Sequence, residues 1–469
     1  MDCAIFPISI RMEDQNDKKE NERQCQMAIQ AREERWIAWR YQYASTDIWT
    51  ERMLTGLREG IKGKKWFSLA DKVWREQSLQ SAYAKVKKNK GSAGTDKQSI
   101  IAFGARLHTH VKELHEELKS GRYRRRPIKR IEIPKPDGKK RPLGIPSVRD
   151  RVVEASMKAA IEPIFDIEFH SNSFGFRPGL GCKDALQSVR DQLDSGKTWI
   201  VDADIQGYFD NIDHEQLLRL VEEKISDGRL LGWIEKALET PIFDGLDQWT
   251  PEKGSPQGSI LSPLLANIYL NGLDWELEKA GITFVRYADD FVLLCNSQQQ
   301  AEAGLELVRN WCTTMKLNLH PGKTHLVDTT TGEGFTFLGY HFRADNHWPS
   351  DKARKNLRTK LRPLTKRNNG KSMNKIIEEI NPIIQGWFHY FRFCRRWQLE
   401  AMDKWIRGRL RSINRRRQKR KGRGRGLDHQ RWPNSYFEEH GLLSLIAAHE
   451  SFCESSKEIP RWKLPELFD

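Results

Sequence analysis

The chain has 469 residues, 38% apolar and 30% charged, and its 79 basic against 63 acidic side chains leave a net charge of +16. That length exceeds one ordinary hydrophobic core and predicts roughly two to four domains, while the cationic excess favours a polyanionic partner, nucleic acid before a membrane surface. No apolar run is long enough to cross a bilayer and the first residues lack a secretory pattern; the cysteines (Cys3, Cys25, Cys182, Cys295, Cys312, Cys394, Cys453) are scattered without Cys-x-x-Cys spacing, which argues against zinc or a disulfide frame and for reduced thiols in a cytosol.

In chain order, residues 1–65 are polar and charged. A charged helix is predicted over residues 22–43, with Met27, Ile29, Trp36, Ile37 and Trp39 too irregular for one apolar stripe. Helical spacing over residues 69–86 is broken by Asn89-Lys90-Gly91-Ser92-Ala93-Gly94-Thr95-Asp96, whose two glycines permit close backbone approach. Residues 100–120 read as a further helix. The turn Pro136-Asp137-Gly138 then joins two short strands into a hairpin with a cationic tip. Lys135 and Arg141 are the pair to aim at a triphosphate; a basic surface hairpin is the other reading of this segment.

A helix is predicted over residues 149–164. The loop Ser171-Asn172-Ser173-Phe174-Gly175-Phe176-Arg177-Pro178-Gly179 mixes aromatics, glycine and arginine as nucleic-acid-facing loops do, and residues 183–193 are again helical. Residues 198–205 alternate into a strand with Asp202 and Asp204 on one face, followed by a turn into a helix. The Gly-rich turn at residues 254–259 leads into a helix with Ser262 as N-cap, Pro263 at its first position, and Leu264, Leu265, Ile268 and Leu273 inward. Gln257 and the turn's amides are placed to line a nucleotide site or, on the other reading, to form a buried turn before a core helix.

Two apolar β-branched runs flank Ala288-Asp289-Asp290, which puts both carboxylates at a hairpin tip. Neighbouring carboxylates repel and are costly without a cation. With Asp204 they make three, a set able to hold two Mg²⁺ ions about 3.5–4 Å apart and to drive phosphoryl transfer through charge neutralisation and positioning. A helix is predicted over residues 301–315 and an alternating strand over residues 334–342. Residues 351–445 are helical, basic and aromatic, and the densest charge run, residues 415–426, lies among them. Its setting favours salt-sensitive phosphate contact over a solvated tail.

This order of motifs resembles the bacterial group II intron-encoded reverse transcriptases. The resemblance rests on residues 89–96, Phe174 to Gly179, Ser255 to Asn267 and Arg286-Tyr287-Ala288-Asp289-Asp290, and it runs from about Trp66 to about Leu445. It implies an α+β fold: a right-hand polymerase, fingers and palm with an antiparallel palm sheet, followed by an α-helical thumb/maturase domain. The expected division is an N-terminal extension at 1–65, fingers and the start of the palm at 66–200, palm with primer grip at 198–345, helical thumb at 346–410 and a basic maturase region at 411–469. The resemblance makes Asp204, Asp289 and Asp290 the catalytic triad and adds Ile205 as a metal ligand. It places Lys135, Arg141, Phe209, Gln257 and Lys323 at the incoming dNTP. Phe209 is the steric gate against a 2′-hydroxyl and Lys323 a proton donor near the phosphates.

Asn89, Lys90, Arg177, Arg415, Arg416, Arg417, Lys419, Arg420 and Lys421 are expected to bind RNA. Two Mg²⁺ ions, with Mn²⁺ as a substitute, are the expected cofactors. The expected partners are a group II intron RNA, an RNA template with DNA primer, a DNA target and dNTPs, with no membrane, in a bacterial cytoplasm or nucleoid. The implied function is RNA-directed DNA polymerase and maturase, promoting intron splicing and copying the intron into DNA at a target-primed site. The alternative is a domesticated relative serving DNA repair or antiphage defence. No Cys/His nuclease cluster follows the maturase marks, so an endonuclease domain is expected to be lacking.

Overall fold

The computed structural model describes residues 48–61, 63–134, 140–343, 346–422 and 426–457. The expected helix over residues 22–43, Lys135 with its turn, and residues 423–425 lie outside them. The described residues form two compact units, 48–189 with 201–326, and 190–200 with 327–457.

In the first unit, helix α1 (Glu76–Asn89) buries Leu79, Ala82, Tyr83 and Val86, a helical stripe that packs on α4 (Val148–Asp166). The single helix expected over residues 100–120 is two, α2 (Ile100–Ala105) and α3 (Leu107–Lys119), because Arg106 leaves helical geometry at φ −127°, ψ 39°. Nearby, the Tyr83 hydroxyl donates to the Ile100 carbonyl at 3.1 Å. Strands β1 (Ile128–Pro134) and β2 (Lys140–Ile145) are antiparallel, in register from Lys129 opposite Ile145 to Pro134 opposite Lys140, and β4 (Ile242–Phe243) and β5 (Gln248–Trp249) extend them in the order β2-β1-β4-β5. Helix α4 is capped by Ser147, which accepts from the Asp150 amide, and it is buried on nearly all sides. Helix α5 (Cys182–Asp194) leads to β3 (Trp199–Asp204).

A second sheet has the order β6-β7-β3-β8, with β6 (Thr283–Tyr287) and β7 (Asp290–Cys295) as an antiparallel hairpin and β8 (His325–Asp328) on the far side of β3. After β3 comes the short helix α6 (Tyr208–Asn211). Helix α7 (Ser262–Lys279) buries Leu264, Leu265, Ile268 and Leu273 as the pattern predicts. Ser262 is not its cap, however. Its hydroxyl accepts from Ser255 Oγ at 2.6 Å and donates to the Pro256 carbonyl at 2.9 Å, so it ties the preceding turn down instead. Helix α8 (Gln298–Thr314) follows the hairpin.

In the second unit, residues 334–342 are a tight hairpin and not one strand. β9 (Phe335–Phe337) and β10 (Tyr340–Arg343) meet through Leu338 and Gly339, both at positive φ (46° and 82°), as a I′-type turn requires, and β11 (Asn346–Pro349) completes the sheet. Tyr340 donates to the Tyr390 carbonyl at 2.7 Å and Tyr390 to the Leu338 carbonyl at 2.8 Å, which fixes this hairpin on the end of a helix. The helices are α9 (Asp351–Leu364), α10 (Met373–Phe391), α11 (Arg396–Arg417) and α12 (Leu445–Lys457). Ile376, Ile377, Ile380 and Ile384 with Leu399, Met402, Ile406 and Leu410 form the core. The expected boundary at residue 410 falls inside α11.

Candidate active site

The β6–β7 hairpin turns at Ala288 and Asp289, and Ala288 takes φ 61°, the positive value that primed hairpin turns demand at their first central residue. Alanine does not favour this conformation, so the turn must be held. Arg286, 1% exposed, holds it. Its Nη1 donates to the Ala288 carbonyl and to Asn267 Oδ1, both at 3.0 Å, while Nε and Nη2 grip Asp274 at 2.8 and 2.5 Å. Asn267 and Asp274 lie two turns apart on one face of α7.

The loop at residues 171–179 braces the same turn. The Arg286 amide donates to the Asn172 carbonyl at 2.9 Å and the Phe174 amide to the Arg286 carbonyl at 2.8 Å. Asn267 Nδ2 donates to the Gly175 carbonyl at 2.7 Å. A β-carbon on Gly175 would lie 2.2 Å from the Ala288 nitrogen, so only glycine permits this approach. Arg177, expected at RNA, is instead a buried anchor of this loop. Its side chain is 1% exposed; Nε donates to Asp166 at 2.8 Å, and Nη1 to the carbonyls of His170 and Ser173 at 2.7 and 2.8 Å.

On β3, Asp202 and Asp204 share a face and are half-buried. Burial first, and then the charge of Asp204, push Asp202 up to about 6. Burial likewise raises Asp289 above the usual carboxylate range, and the Asp204 charge adds to it while Arg141 and Arg286 oppose it. Asp204 and Asp289 therefore feel each other. The segment after α8 pairs with the end of β3: the His320 amide donates to the Asp204 carbonyl at 2.7 Å and the Gln206 amide to the Asn318 carbonyl at 2.8 Å. That pairing delivers Lys323, whose Nζ lies 2.8 Å from Asp204 Oδ2. Neither main-chain bond uses the Ile205 carbonyl, as expected for the non-hydrogen-bonded position of the bridge Ile205 makes with Leu319.

Divalent ions fit this donor set by type: it offers carboxylate oxygens, in mutual repulsion, with an ammonium already drawn to one of them. Among the described residues no three His, Cys, Asp or Glu side chains converge on one point. Magnesium keeps waters and substrate phosphates in its shell, so few protein ligands suffice.

Phe209 sits in α6, which begins after Gly207 in the left-handed region. The Ser255 amide donates to the Phe209 carbonyl at 2.7 Å, and Gly254 (φ 90°) packs where a β-carbon would meet the Asp210 carbonyl at 2.9 Å. The Pro-Gln-Gly turn thus carries the Phe209 segment on one side. On the other it holds β2, since the Gly144 amide donates to the Gln257 carbonyl at 2.7 Å and Arg141 Nε donates to Gln257 Oε1 at 2.6 Å. Arg141 and Gln257 are thereby brought together as one unit. Beside them lies a cleft of about 240 Å³ lined in part by Arg130, Asp210, Trp249, Lys253 and Gln257.

Of the residues expected at RNA, Asn89 and Lys90 are exposed at the end of α1. In the second unit Arg415 is partly engaged, by Asp428 at 2.5 Å and the Lys421 carbonyl at 2.7 Å, and Arg417 donates to the Lys371 carbonyl. Arg416, Lys419, Arg420 and Lys421 are exposed, and Arg416, Arg420 and Lys421 join Arg367, Asn368 and Gly422 around a cationic pocket of about 290 Å³. The sequence reading missed the roles of Asn267, Asp274 and Gly175. The available signal was an Asn and an Asp seven residues apart among the apolar inward positions of α7.

Residues 133–342 match the family model described as reverse transcriptase (RNA-dependent DNA polymerase), and residues 354–432 match the group II intron, maturase-specific domain. Protein YkfC of Escherichia coli (strain K12) is 35% identical over 290 residues, 53% of this chain and 74% of that protein. The group II intron-encoded protein LtrA of Lactococcus lactis subsp. cremoris is 38% identical over 194 residues, 41% of this chain but only 32% of LtrA. Among solved structures, a chain of a partial Cas6-RT-Cas1–Cas2 complex gives a TM-score of 0.32 at 23% identity, covering 53% of this chain and 43% of that one. Among the described residues no helix is long and apolar enough to cross a membrane.

Proposed function

This chain belongs to the group II intron reverse transcriptase family, an RNA-directed DNA polymerase with a maturase-specific domain, and we propose that it binds a group II intron RNA, promotes its splicing and copies it into DNA from a target primer, in the bacterial cytoplasm or nucleoid. The observation that carries the reading is that β3, ending in Asp204, lies beside β7, which begins at the Asp289-Asp290 hairpin tip, in one sheet, with Lys323 Nζ 2.8 Å from Asp204 Oδ2. Held by Asp204, the Ile205 carbonyl, Asp289 and Asp290, two Mg²⁺ ions would neutralise charge on the transferring phosphoryl group.

The chain's own residues do the rest. Arg141, fixed by Gln257, meets the triphosphate from the fingers hairpin, together with Lys135. Lys323, paired with Asp204, brings an ammonium that can hand a proton to a leaving oxyanion. Phe209 presents an aromatic wall that a ribose hydroxyl would strike. The exposed cations Arg416, Lys419, Arg420 and Lys421 supply phosphate contacts for RNA, joined by Arg415, Arg417, Asn89 and Lys90.

Asp289→Asn is expected to abolish cDNA synthesis on an RNA template while leaving RNA affinity and splicing intact; retained cDNA synthesis would overturn the assignment. Sequencing RNA that copurifies with the protein separates the roles. One dominant intron RNA is expected, whereas a mixed population would favour a relative serving repair or defence.

A further inference from the structure

We infer that Phe176 is a positioning residue for sugar selection: its ring braces Phe209 and so sets the depth of the pocket under the incoming nucleotide's sugar. This rests on the reading of Phe209 as the gate. Phe176 has φ 59°, a region in which a bulky L-residue is an outlier, and it leaves 42% of itself exposed. Glycine or asparagine would suit that backbone better and expose no apolar ring. A strained, exposed aromatic points to a use for the ring itself.

Its surroundings say which use. The Phe176 ring meets Phe209 edge-on, centroids 6.3 Å apart at 79°, and lies 6.4 Å from the Tyr287 ring at 45°. Both distances fall in the range of productive aromatic pairs. Phe209 has a second edge-on partner, Tyr208 at 5.5 Å, whose hydroxyl is fixed on the Ala266 carbonyl. Phe176 cannot drift, because its neighbours are locked: Gly175 lies flush against Ala288, and Arg177 is buried among Asp166, His170 and Ser173. The immobile loop that braces the catalytic turn therefore also carries the ring that steadies the gate.

The test is single-nucleotide incorporation by the full chain on an RNA template with a DNA primer, comparing a dNTP with its rNTP. Phe176→Gly, which suits the positive φ while deleting the ring, is expected to lower the dNTP preference by about tenfold, through a better kcat/KM for the rNTP. Primer–template affinity should stay unchanged. Phe176→Tyr should retain selectivity. Phe176→Leu, which keeps apolar bulk but no ring edge, should lose part of it and serves as the second variant if the glycine one folds poorly. Phe176→Gly combined with Phe209→Ala should be no less selective than Phe209→Ala alone. Intact selectivity in both Phe176→Gly and Phe176→Leu, with selectivity lost in Phe209→Ala, would overturn the role of Phe176 and leave the gate standing. Weakened primer–template binding with intact selectivity would also overturn it, making the ring a nucleic-acid contact. Unchanged rejection of rNTPs by Phe209→Ala would instead sink the gate, and this inference with it.

Discussion

In the first unit, Arg125, Arg177 and Arg286 have side chains 6%, 1% and 1% exposed, each against a carboxylate: Glu154, Asp166 and Asp274. At the end of α11, Arg416 and Arg420 stand exposed with Lys419 and Lys421. One helix shows both fates, since Arg407 and Arg411 of α11 are buried while Arg416 and Arg417 are not. A guanidinium cannot shed its proton, so burial forces it to find acceptors, and a buried arginine becomes a fixed strut. An exposed one keeps its hydration and remains available to a phosphate. Net charge alone does not distinguish the two.

The largest expected effect is at Arg286. Arg286→Met leaves Asp274 buried and uncompensated and should cost about 3–5 kcal/mol in denaturant unfolding, with DNA synthesis lost because the Ala288 carbonyl loses its donor. A second change, Asp274→Leu, should recover stability but not synthesis. Arg177→Met should cost on the order of 3 kcal/mol and leave the salt dependence of RNA affinity unaltered; a shallower salt slope at wild-type stability would return Arg177 to the RNA surface.

His347 is a half-buried base that, unlike these arginines, can shed its proton. Burial first, then Arg190, push it down to about 4. Between pH 6.5 and 4 the unfolded chain binds a proton that the folded one refuses, so this stability is full above about pH 6.5 and is lost as pH falls towards 4, by about 3 kcal/mol. Thermal melts across that range should show the loss, and His347→Phe should flatten it. The smallest effects on stability belong to the exposed set. Arg416→Ala, Arg420→Ala and Lys421→Ala should each stay within about 0.5 kcal/mol of wild type. Each should nonetheless weaken RNA binding, and the slope of log affinity against log salt should become shallower by roughly 0.7–0.9 for every phosphate left without its cation.

The strand ending in Asp204 and the two strands flanking Asp289 were legible because alternation and β-branched runs mark strands directly, and the inward face of α7 followed from its period. Arg177 was not legible. A loop of glycine, aromatics and arginine reads the same whether it faces RNA or is sewn into the core, and only the depth of the side chain decides. The break at Arg106 and the turn at Leu338 and Gly339 escaped for a related reason: both sit inside apolar patterns that continue across them. The resemblance puts Lys323 near the phosphates, and the geometry adds its pairing with Asp204, which arises from a strand-like contact at residues 318–320 invisible to local pattern.

The contact between Gly175 and the Ala288 amide has a consequence for descent. Two stretches far apart in the chain share one methyl group's worth of space. Neither can drift alone: a bulkier residue at 175 requires the turn at 288 to retreat, and a retreating turn withdraws Asp289 from Asp204. Across diverging copies of this protein the two positions are expected to stay fixed or to change as a pair, and a lineage that enlarged residue 175 by itself would be expected to have given up polymerisation.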